Sequence, residues 1–363
     1  MFLSLPLRIA ASTAYILNNQ RNGEKPAKMI ITIKKNVAII RQMGVKGWIY
    51  GYWEYARNSE IPLSIAKILK SKWKNDQVKV LSYDGSNQCV HPDVIQYKGD
   101  LYLASTPYPY AIDVYENPQL SKLNKEVWEL CDNMPFVKPN KPGILHYSDP
   151  FMYTDSSDSL YYFYRLTDRS NDSKSIIYYV NIDDDSKKEV RFTAKYDFEY
   201  ISPFVIKCDS LYFFHIETDA NNHLYVRRFH SFDDIIDESV SISEVKLVGF
   251  EKNEDIWHLG VSSARDYNSK VDDNGEFNGV VTYIKDANYS HCYNCFCKLL
   301  YDGNSWTLYK MQPLDQGKID CKYPYKSCLC EIDNKKYIYE TVIDNKYRHG
   351  LFALKVGEKE FGG

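Results

Sequence analysis

A short motif recurs five times along this chain, and its spacing restricts the possible folds more than any other feature. Each copy opens with a few small or polar residues, often including proline, and continues through an apolar stretch, a turn and a tyrosine-rich strand. The copies begin near residues 92, 149, 202, 258 and 327, separated by 57, 53, 56 and 69 residues. A repeat of this length, with several strands per copy, is typical of a β-propeller blade.

The sequence therefore predicts an all-β fold, a five-bladed β-propeller over residues 78–363. A β-sandwich is the alternative, but it gives no reason for the repeated opening. Residues 1–77 differ from the rest, because apolar residues follow helical spacing over 30–43 and 61–73 with lysines on the other face. We expect an α-helical N-terminal extension there. Its lysines favour a membrane surface or a protein partner, or form an ordinary solvated face.

Charge and cysteine content narrow the class of protein. There are 45 Lys plus Arg and 48 Asp plus Glu, a net charge of -3, which argues against a nucleic-acid binder that works by bulk charge. Nine scattered cysteines do not indicate a disulfide framework, and residues 1–17 lack the charged start of a secretory signal. We expect a cytoplasmic protein, with peripheral membrane association as the alternative.

The innermost strand of each propeller blade lines the central channel, so the five opening motifs are expected to meet at the axis. There they would bring together carboxylates and other polar groups that are far apart in the sequence. Carboxylates in one partly dry pocket shift each other's pKa values, which permits separate acid and base roles. The expected axial set is His91, Asp93, Asp149, Arg165, Ser202, His258 and Ser327, with Glu116 nearby.

Tyrosine is abundant, with 32 copies, and tyrosine faces suit the stacking of sugar rings, although many tyrosine-rich β-proteins bind no sugar. The chain resembles the five-bladed propellers related to glycoside hydrolase family 43, most of all a poorly characterised bacterial and phage subgroup. The resemblance covers roughly residues 85–355. It is carried by His91-Pro92-Asp93-Val94, Thr106-Pro107-Tyr108-Pro109, Glu116-Asn117-Pro118, Ser148-Asp149-Pro150, Tyr162-Phe163-Tyr164-Arg165, Ser202-Pro203, Trp257-His258-Leu259 and Tyr325-Lys326-Ser327.

The resemblance implies roles for individual residues. Asp93 resembles the family's general base and Asp149 the residue that tunes pKa values. Two departures stand out. The family's Asp-Pro of blade one is Pro92-Asp93 here, so a local bulge is needed to restore the aim of the side chain. The family's Glu-Gly-Pro of blade three is Ile201-Ser202-Pro203, so the usual acid is absent, and Glu199, Glu116 or His258 must replace it.

The remaining candidates are substrate-binding residues: His91, Arg165, Tyr108, Ser202, Trp257 and Ser327. Several have a simpler structural interpretation. Asp149 before proline also suits a turn, Arg165 either binds a sugar acid or phosphate or pairs with Asp149, and His258 also fits a buried structural histidine.

No cofactor is expected. Cys292-x-x-Cys295 has zinc-like spacing, but Cys295 and Cys297, like Cys328 and Cys330, have the alternation of buried strand residues, which is the favoured interpretation.

The function expected from the sequence is that of an inverting glycoside hydrolase acting on a bacterial or environmental polysaccharide or oligosaccharide. Asp93 would activate water, and His258 or Glu116 would protonate the leaving oxygen. One alternative is a non-catalytic glycan-binding propeller, favoured by the missing blade-three Glu. The other is a glycosyl transferase or phosphorylase of surface-polysaccharide metabolism, favoured by the basic N-terminal segment.

Overall fold

The structure, a computed structural model, describes the chain from residue 78 to residue 357 with gaps, and all regular elements in the described part are β-strands. The described residues are 78–81, 89–107, 118–131, 145–155, 157–168, 175–183, 187–190, 200–217, 223–230, 242–261, 275–288, 292–314, 319, 321–333, 335–344 and 349–357. The predicted helical segment 1–77 lies outside them. No helix within the described ranges has the length and apolar character that crossing a bilayer requires.

The strands of the described part form five sheets, which we number as blades one to five. Blade one contains β1 (Lys79–Val80), β2 (Cys89–Tyr97), β3 (Asp100–Pro107), β4 (Gln119–Asn124) and β5 (Val127–Leu130). Blade two contains β6 (Leu145–Thr154), β7 (Leu160–Asp168), β8 (Ser175–Asn181) and β9 (Lys187–Val190). Blade three contains β10 (Tyr200–Lys207), β11 (Leu211–Glu217), β12 (His223–Phe229) and β13 (Ile242–Glu244).

Blade four contains β14 (Lys246–Val248), β15 (Glu254–Val261), β16 (Glu276–Lys285), β17 (Cys292–Tyr301) and β18 (Trp306–Pro313). Blade five contains β19 (Tyr323–Ile332), β20 (Lys335–Ile343) and β21 (His349–Lys355). Each blade is an antiparallel meander that starts from the innermost strand, β2, β6, β10, β15 or β19, which carries the opening motif. Blades one and four also have a parallel outer strand, supplied by the segment before the blade. An all-β fold with five blades was predicted, and the structure confirms it.

Apolar residues fill the spaces between neighbouring blades and so hold the ring together. Each fully buried large apolar side chain contributes roughly 1.5–3 kcal/mol. Blade five closes the ring against blade one, where the N–H of Val78 also donates to the carbonyl of Leu351 at 2.8 Å. Ring contacts join Phe151 and Phe213 between blades two and three, and Phe214 and Trp306 between three and four. Shared buried clusters include Leu120 and Tyr162 of blades one and two, Phe296 and Leu329 of four and five, and Cys328 and Leu103 of five and one.

The innermost strands of blades four and five approach each other so closely that one position requires glycine. A Cβ atom placed on Gly260 would lie 2.4 Å from the carbonyl oxygen of Ser327 and 2.6 Å from the Cα atom of Cys328. Both neighbours are backbone atoms of β19, so neither can move aside cheaply. Gly260 thus sets how tightly β15 and β19 pack beside the axis.

Candidate functional site

The innermost strand of every blade has a bulge at the opening motif. The paired register of β2, β6, β10, β15 and β19 with the following strand shifts at Val90/Asp93, Ser148/Phe151, Ile201/Phe204, Ile256/His258 and Pro324/Ser327. A bulge places extra residues on one strand, bends it and redirects its side chains. The repeated sequence motif is therefore a repeated backbone feature.

The bulges show that His91, not Asp93, occupies the blade-one position equivalent to Asp149. His91 and Pro92 stand between the paired residues of blade one, as Asp149 and Pro150 do in blade two. The backbone agrees, because His91 (φ 54°) and Asp149 (φ 48°) both adopt the left-handed conformation that non-glycine residues rarely take. Such strained positions are frequent at functional sites.

The carboxylate of Asp93 instead contacts the backbone of the next blade. Its Oδ2 accepts a hydrogen bond from the N–H of Met152 at 2.7 Å, and the residue is 1% exposed. The anticipated bulge is present, but it holds the residues before Asp93. Asp93 therefore links blades one and two through a hydrogen bond. The sequence predicted a general base at this residue and did not predict this structural contact.

Asp149 lies at the centre of a buried charge cluster. Its Oδ1 accepts a hydrogen bond from Lys326 Nζ of blade five at 2.7 Å. Its Oδ2 lies 2.7 Å from Arg165 Nη2 and accepts a hydrogen bond from the hydroxyl of Ser148 at 2.9 Å. Arg165 Nη2 also donates to the Ser148 oxygen at 2.7 Å. The sequence left open whether Asp149 forms a turn before proline or has a role in the site. Its geometry is compatible with both, since the residue lies in a bulge and its carboxylate is paired with two cations.

His91 approaches this cluster from blade one. Its Nδ1 is 3.6 Å from Asp149 Oδ1, 3.4 Å from the Asp149 backbone nitrogen and 3.3 Å from Thr106 Oγ1. The imidazole also stacks on Tyr325 of blade five, with 6.2 Å between ring centroids. These contacts fix the ring between three blades.

Burial and mutual electrostatics shift the pKa values of this cluster. Burial lowers the pKa of His91 well below 6.5, opposed by Asp149, and lowers that of His258 to about 3. Burial opposes ionisation of Asp149, but His91, Lys326 and Arg165 hold its pKa well below the usual range. Burial lowers the pKa of Lys326, an effect that the Asp149 carboxylate counters. At neutral pH both imidazoles are uncharged and Asp149 is ionised.

Blades four and five complete the axial surface. Lys326 Nζ lies 5.2 Å from the ring centroid of Trp257, the residue inside the blade-four bulge. Ser327 takes part in a neighbouring buried network, in which Asn294 Nδ2 donates to Ser327 Oγ and to Glu340 Oε1, both at 2.7 Å. Ser327 therefore lies beside the charge cluster rather than in it.

The structure brings together five of the predicted site residues: His91, Asp149, Arg165, Trp257 and His258. Asp93 and Ser327 have the separate contacts given above. Tyr108 and Glu116 lie outside the described residues; Ser202 belongs to β10, and its side chain is likewise not described.

Sequence reasoning did not select Lys326, although it contacts Asp149 directly from a position 177 residues later in the chain. The sequence offers one signal, because Lys326 is the only charged residue in the run from Tyr323 to Cys330. The late cysteines Cys292, Cys295, Cys297, Cys328 and Cys330 are buried strand residues. Within the described ranges, no group of three His, Cys, Asp or Glu side chains is placed to hold a metal ion.

No family model matches the sequence, and no curated protein matches it. Solved structures do match the fold. A thermostable family 43 glycoside hydrolase superposes with a TM-score of 0.51 at 12% identity, covering 74% of this chain and 90% of that one. The fold is that of the family 43 five-bladed propellers.

Two further family 43-type propellers agree with this assignment of the fold. The α-L-arabinofuranosidase from Lactobacillus brevis has a TM-score of 0.50 at 9% identity, covering 76% of this chain and 94% of its own. The endo-arabinanase from Bacillus licheniformis has a TM-score of 0.50 at 11% identity, covering 76% and 96%. At such identities the family 43 likeness concerns the fold, and function must be argued from the axial residues.

Proposed function

We propose that this protein is a carbohydrate-active propeller that holds a glycan at its axis and hydrolyses a glycosidic bond there by single displacement. The observation that carries the proposal is the equivalence of His91 and Asp149. Two titratable residues occupy matching bulges of adjacent blades, and their side chains are 3.6 Å apart. The likeness of the fold to family 43 hydrolases supports the class of reaction.

His91 is the base in this proposal, in place of Asp93. Burial lowers the pKa of His91, so the ring is neutral at pH 7; in the tautomer with the proton on Nδ1, facing Asp149 Oδ1, its Nε2 can accept the proton of the attacking water. The water oxygen forms the new bond to the anomeric carbon as the glycosidic C–O bond breaks. Asp149, fixed by Arg165 and Lys326, stabilises the imidazolium that forms. This division of labour resembles other histidine–carboxylate pairs.

Glu116 is the group we propose to protonate the leaving oxygen. His258 is a poorer donor, because burial lowers its pKa to about 3 and leaves it without a proton to give at neutral pH. Glu116 belongs to the segment between β3 and β4, outside the described residues, so its role rests on the sequence. Trp257, beside Lys326, offers the aromatic face on which a sugar ring stacks.

Non-catalytic glycan binding is the second candidate. It is favoured because the blade-three opening is Ile201-Ser202-Pro203, without the family's glutamate, and because one carboxylate oxygen of Asp93 is bonded to the Met152 backbone N–H. A binding propeller needs the axial donors and aromatic rings, but neither a base nor an acid.

Release of reducing sugar from a panel of arabinans, xylans and bacterial polysaccharides separates the two candidates. Hydrolysis predicts turnover on at least one glycan and at least a hundredfold loss of kcat in His91→Gln. Saturable binding of a glycan without release of sugar favours the second candidate. If the protein neither cleaves nor binds any glycan of the panel, both candidates are ruled out.

A further inference from the structure

Two consecutive residues of blade five contact the two members of the proposed catalytic pair. Tyr325 and Lys326 are the residues inside the blade-five bulge. Lys326 Nζ donates to Asp149 Oδ1 at 2.7 Å, and the ring of Tyr325 stacks on the imidazole of His91, with 6.2 Å between centroids and 28° between planes. One bulge therefore contacts both members of the pair, although it belongs to neither of their blades.

Among the described residues, the polar contacts of His91 are all made through one ring nitrogen, Nδ1. Its distances to Thr106 Oγ1, the Asp149 backbone nitrogen and Asp149 Oδ1 are 3.3, 3.4 and 3.6 Å, longer than the roughly 2.7–3.2 Å of a typical hydrogen bond. Rotation of a histidine ring about its Cβ–Cγ bond is also broad and roughly two-fold. These contacts alone therefore constrain the plane of the imidazole weakly, and the direction of Nε2 depends on that plane.

The ring of Tyr325 is itself held in place by neighbouring blades. It is 3% exposed and shares a buried apolar cluster with Val90, the residue before His91. The imidazole of His349 contacts it edge-on, with 5.5 Å between centroids and 72° between planes. The carbonyl of Tyr325 accepts a hydrogen bond from the hydroxyl of Thr282 in blade four at 3.2 Å. In a close-packed interior, the imidazole of His91 can tilt towards this ring only by displacing it.

We propose that Tyr325 is a positioning residue for His91, whose aromatic face fixes the plane of the imidazole and so directs Nε2 towards the attacking water. The inference rests on the proposed function, in which His91 is the base, and it names the residue that orients this base. The stacked ring is the part that acts, and the hydroxyl is not required. Phenylalanine should therefore be able to replace Tyr325, whereas an aliphatic side chain should not.

Initial rates of sugar release compare the wild type with Tyr325→Leu, Tyr325→Phe and Tyr339→Leu. Tyr325→Leu should lower kcat by about tenfold to a hundredfold and leave KM nearly unchanged, because a misdirected base slows the reaction without removing a contact to the glycan. Tyr325→Phe should recover most of this loss. Tyr339→Leu is the matched control, because Tyr339 is also a buried tyrosine of blade five, but its ring contacts Trp128 at 6.0 Å; it should leave kcat unchanged.

An NMR measurement tests the inference without any turnover. The chain has eight histidines, and the Cε1–Hε1 signal of His91 is identified by its loss in His91→Gln. This signal should be single and narrow in the wild type, in Tyr325→Phe and in Tyr339→Leu. In Tyr325→Leu it should be split or broadened by exchange, because the imidazole then samples more than one orientation.

A narrow His91 signal in Tyr325→Leu would overturn the inference and leave the proposed function standing, as would an unchanged kcat. Equal losses of kcat in Tyr325→Leu and Tyr339→Leu would also overturn it, because the effect is then not specific to the ring beside His91. If the wild type turns over no glycan, the proposed function fails, and the width of the His91 signal alone decides whether Tyr325 orients the imidazole. If Tyr325→Leu does not fold, Tyr325→Phe decides: a narrow signal supports the inference, and a broad one overturns it.

Discussion

Two charge clusters of this propeller use the same chemistry in different surroundings. At the axis, Asp149 contacts Lys326 and Arg165, whose side chains are 2% and 5% exposed. On blade four, Glu254 contacts Lys310 and Lys285, whose side chains are 15% and 33% exposed. The blade-four carboxylate is as buried as Asp149, but its lysines extend towards water, and Lys285 also contacts the exposed Glu251.

The difference shows that the contribution of a buried ion pair to stability depends on whether its cations can reach water once the carboxylate has lost its charge. The blade-four lysines can be solvated if Glu254 loses its charge, so this cluster is an adaptable structural element. The axial cations are almost fully buried and cannot turn to water in the same way, so loss of the Asp149 charge should cost more there. A pair that costs stability to maintain is more readily explained by function than by folding.

The largest expected effect separates the two carboxylates. Asp149→Asn removes the carboxylate charge that two buried cations contact and should lower the free energy of unfolding by about 3–5 kcal/mol. Glu254→Gln should lower it by about 1 kcal/mol, because its lysines can turn to water. Urea denaturation of both variants measures the difference. Equal losses would show that exposure of the cations does not distinguish the clusters.

A smaller effect is expected at Asp93, which is as buried as Asp149 and accepts a hydrogen bond from the backbone N–H of Met152. Asp93→Asn should cost about 1.5–3 kcal/mol, the range of a hydrogen bond to a charged group. Gln96→Ala, on the same strand but on its exposed side, is the control and should change stability little. The measurement is again urea denaturation, and a loss as large as that of Asp149→Asn would remove the distinction between the two aspartates.

The buried histidines predict a dependence of stability on pH. Burial lowers the pKa of His349 to about 3 from 6.5, so unfolding takes up a proton at any pH between these values. Stability should therefore fall as the pH falls from about 6.5 towards 3, by about 1.4 kcal/mol per pH unit for each such histidine. His349→Gln should make the slope of unfolding free energy against pH shallower by up to one proton. An unchanged slope would mean that His349 does not titrate on unfolding.

The smallest effect is expected for ion pairs in full contact with water. Lys122 and Asp100 are 2.6 Å apart, but their side chains are 45% and 43% exposed. Asp100→Asn should leave the midpoint of urea denaturation nearly unchanged, and any difference should shrink further in about 1 M salt. A change comparable with that of Glu254→Gln would show that proximity of the charges matters more than their surroundings.

The sequence was sufficient to predict the five blades and several axial residues, because the repeated opening determines both. The spacing of motifs locates Asp149, and the Tyr-rich strand after it locates Arg165. The register of blade one was not predictable. A bulge changes which residue faces the axis, and the sequence His91-Pro92-Asp93 does not show which of its residues the bulge contains. Lys326 was missed because its partner is distant in sequence and only the closed ring brings them together.

The central claim is that the bulge makes His91, and not Asp93, the blade-one residue of the axial site. Initial rates of sugar release from the best glycan in the panel, measured for wild type, His91→Gln and Asp93→Asn at a temperature where all three are folded, test it most directly. The account predicts at least a hundredfold loss of kcat in His91→Gln and a kcat within about threefold of wild type in Asp93→Asn. The opposite order, with Asp93→Asn inactive and His91→Gln active, would contradict it.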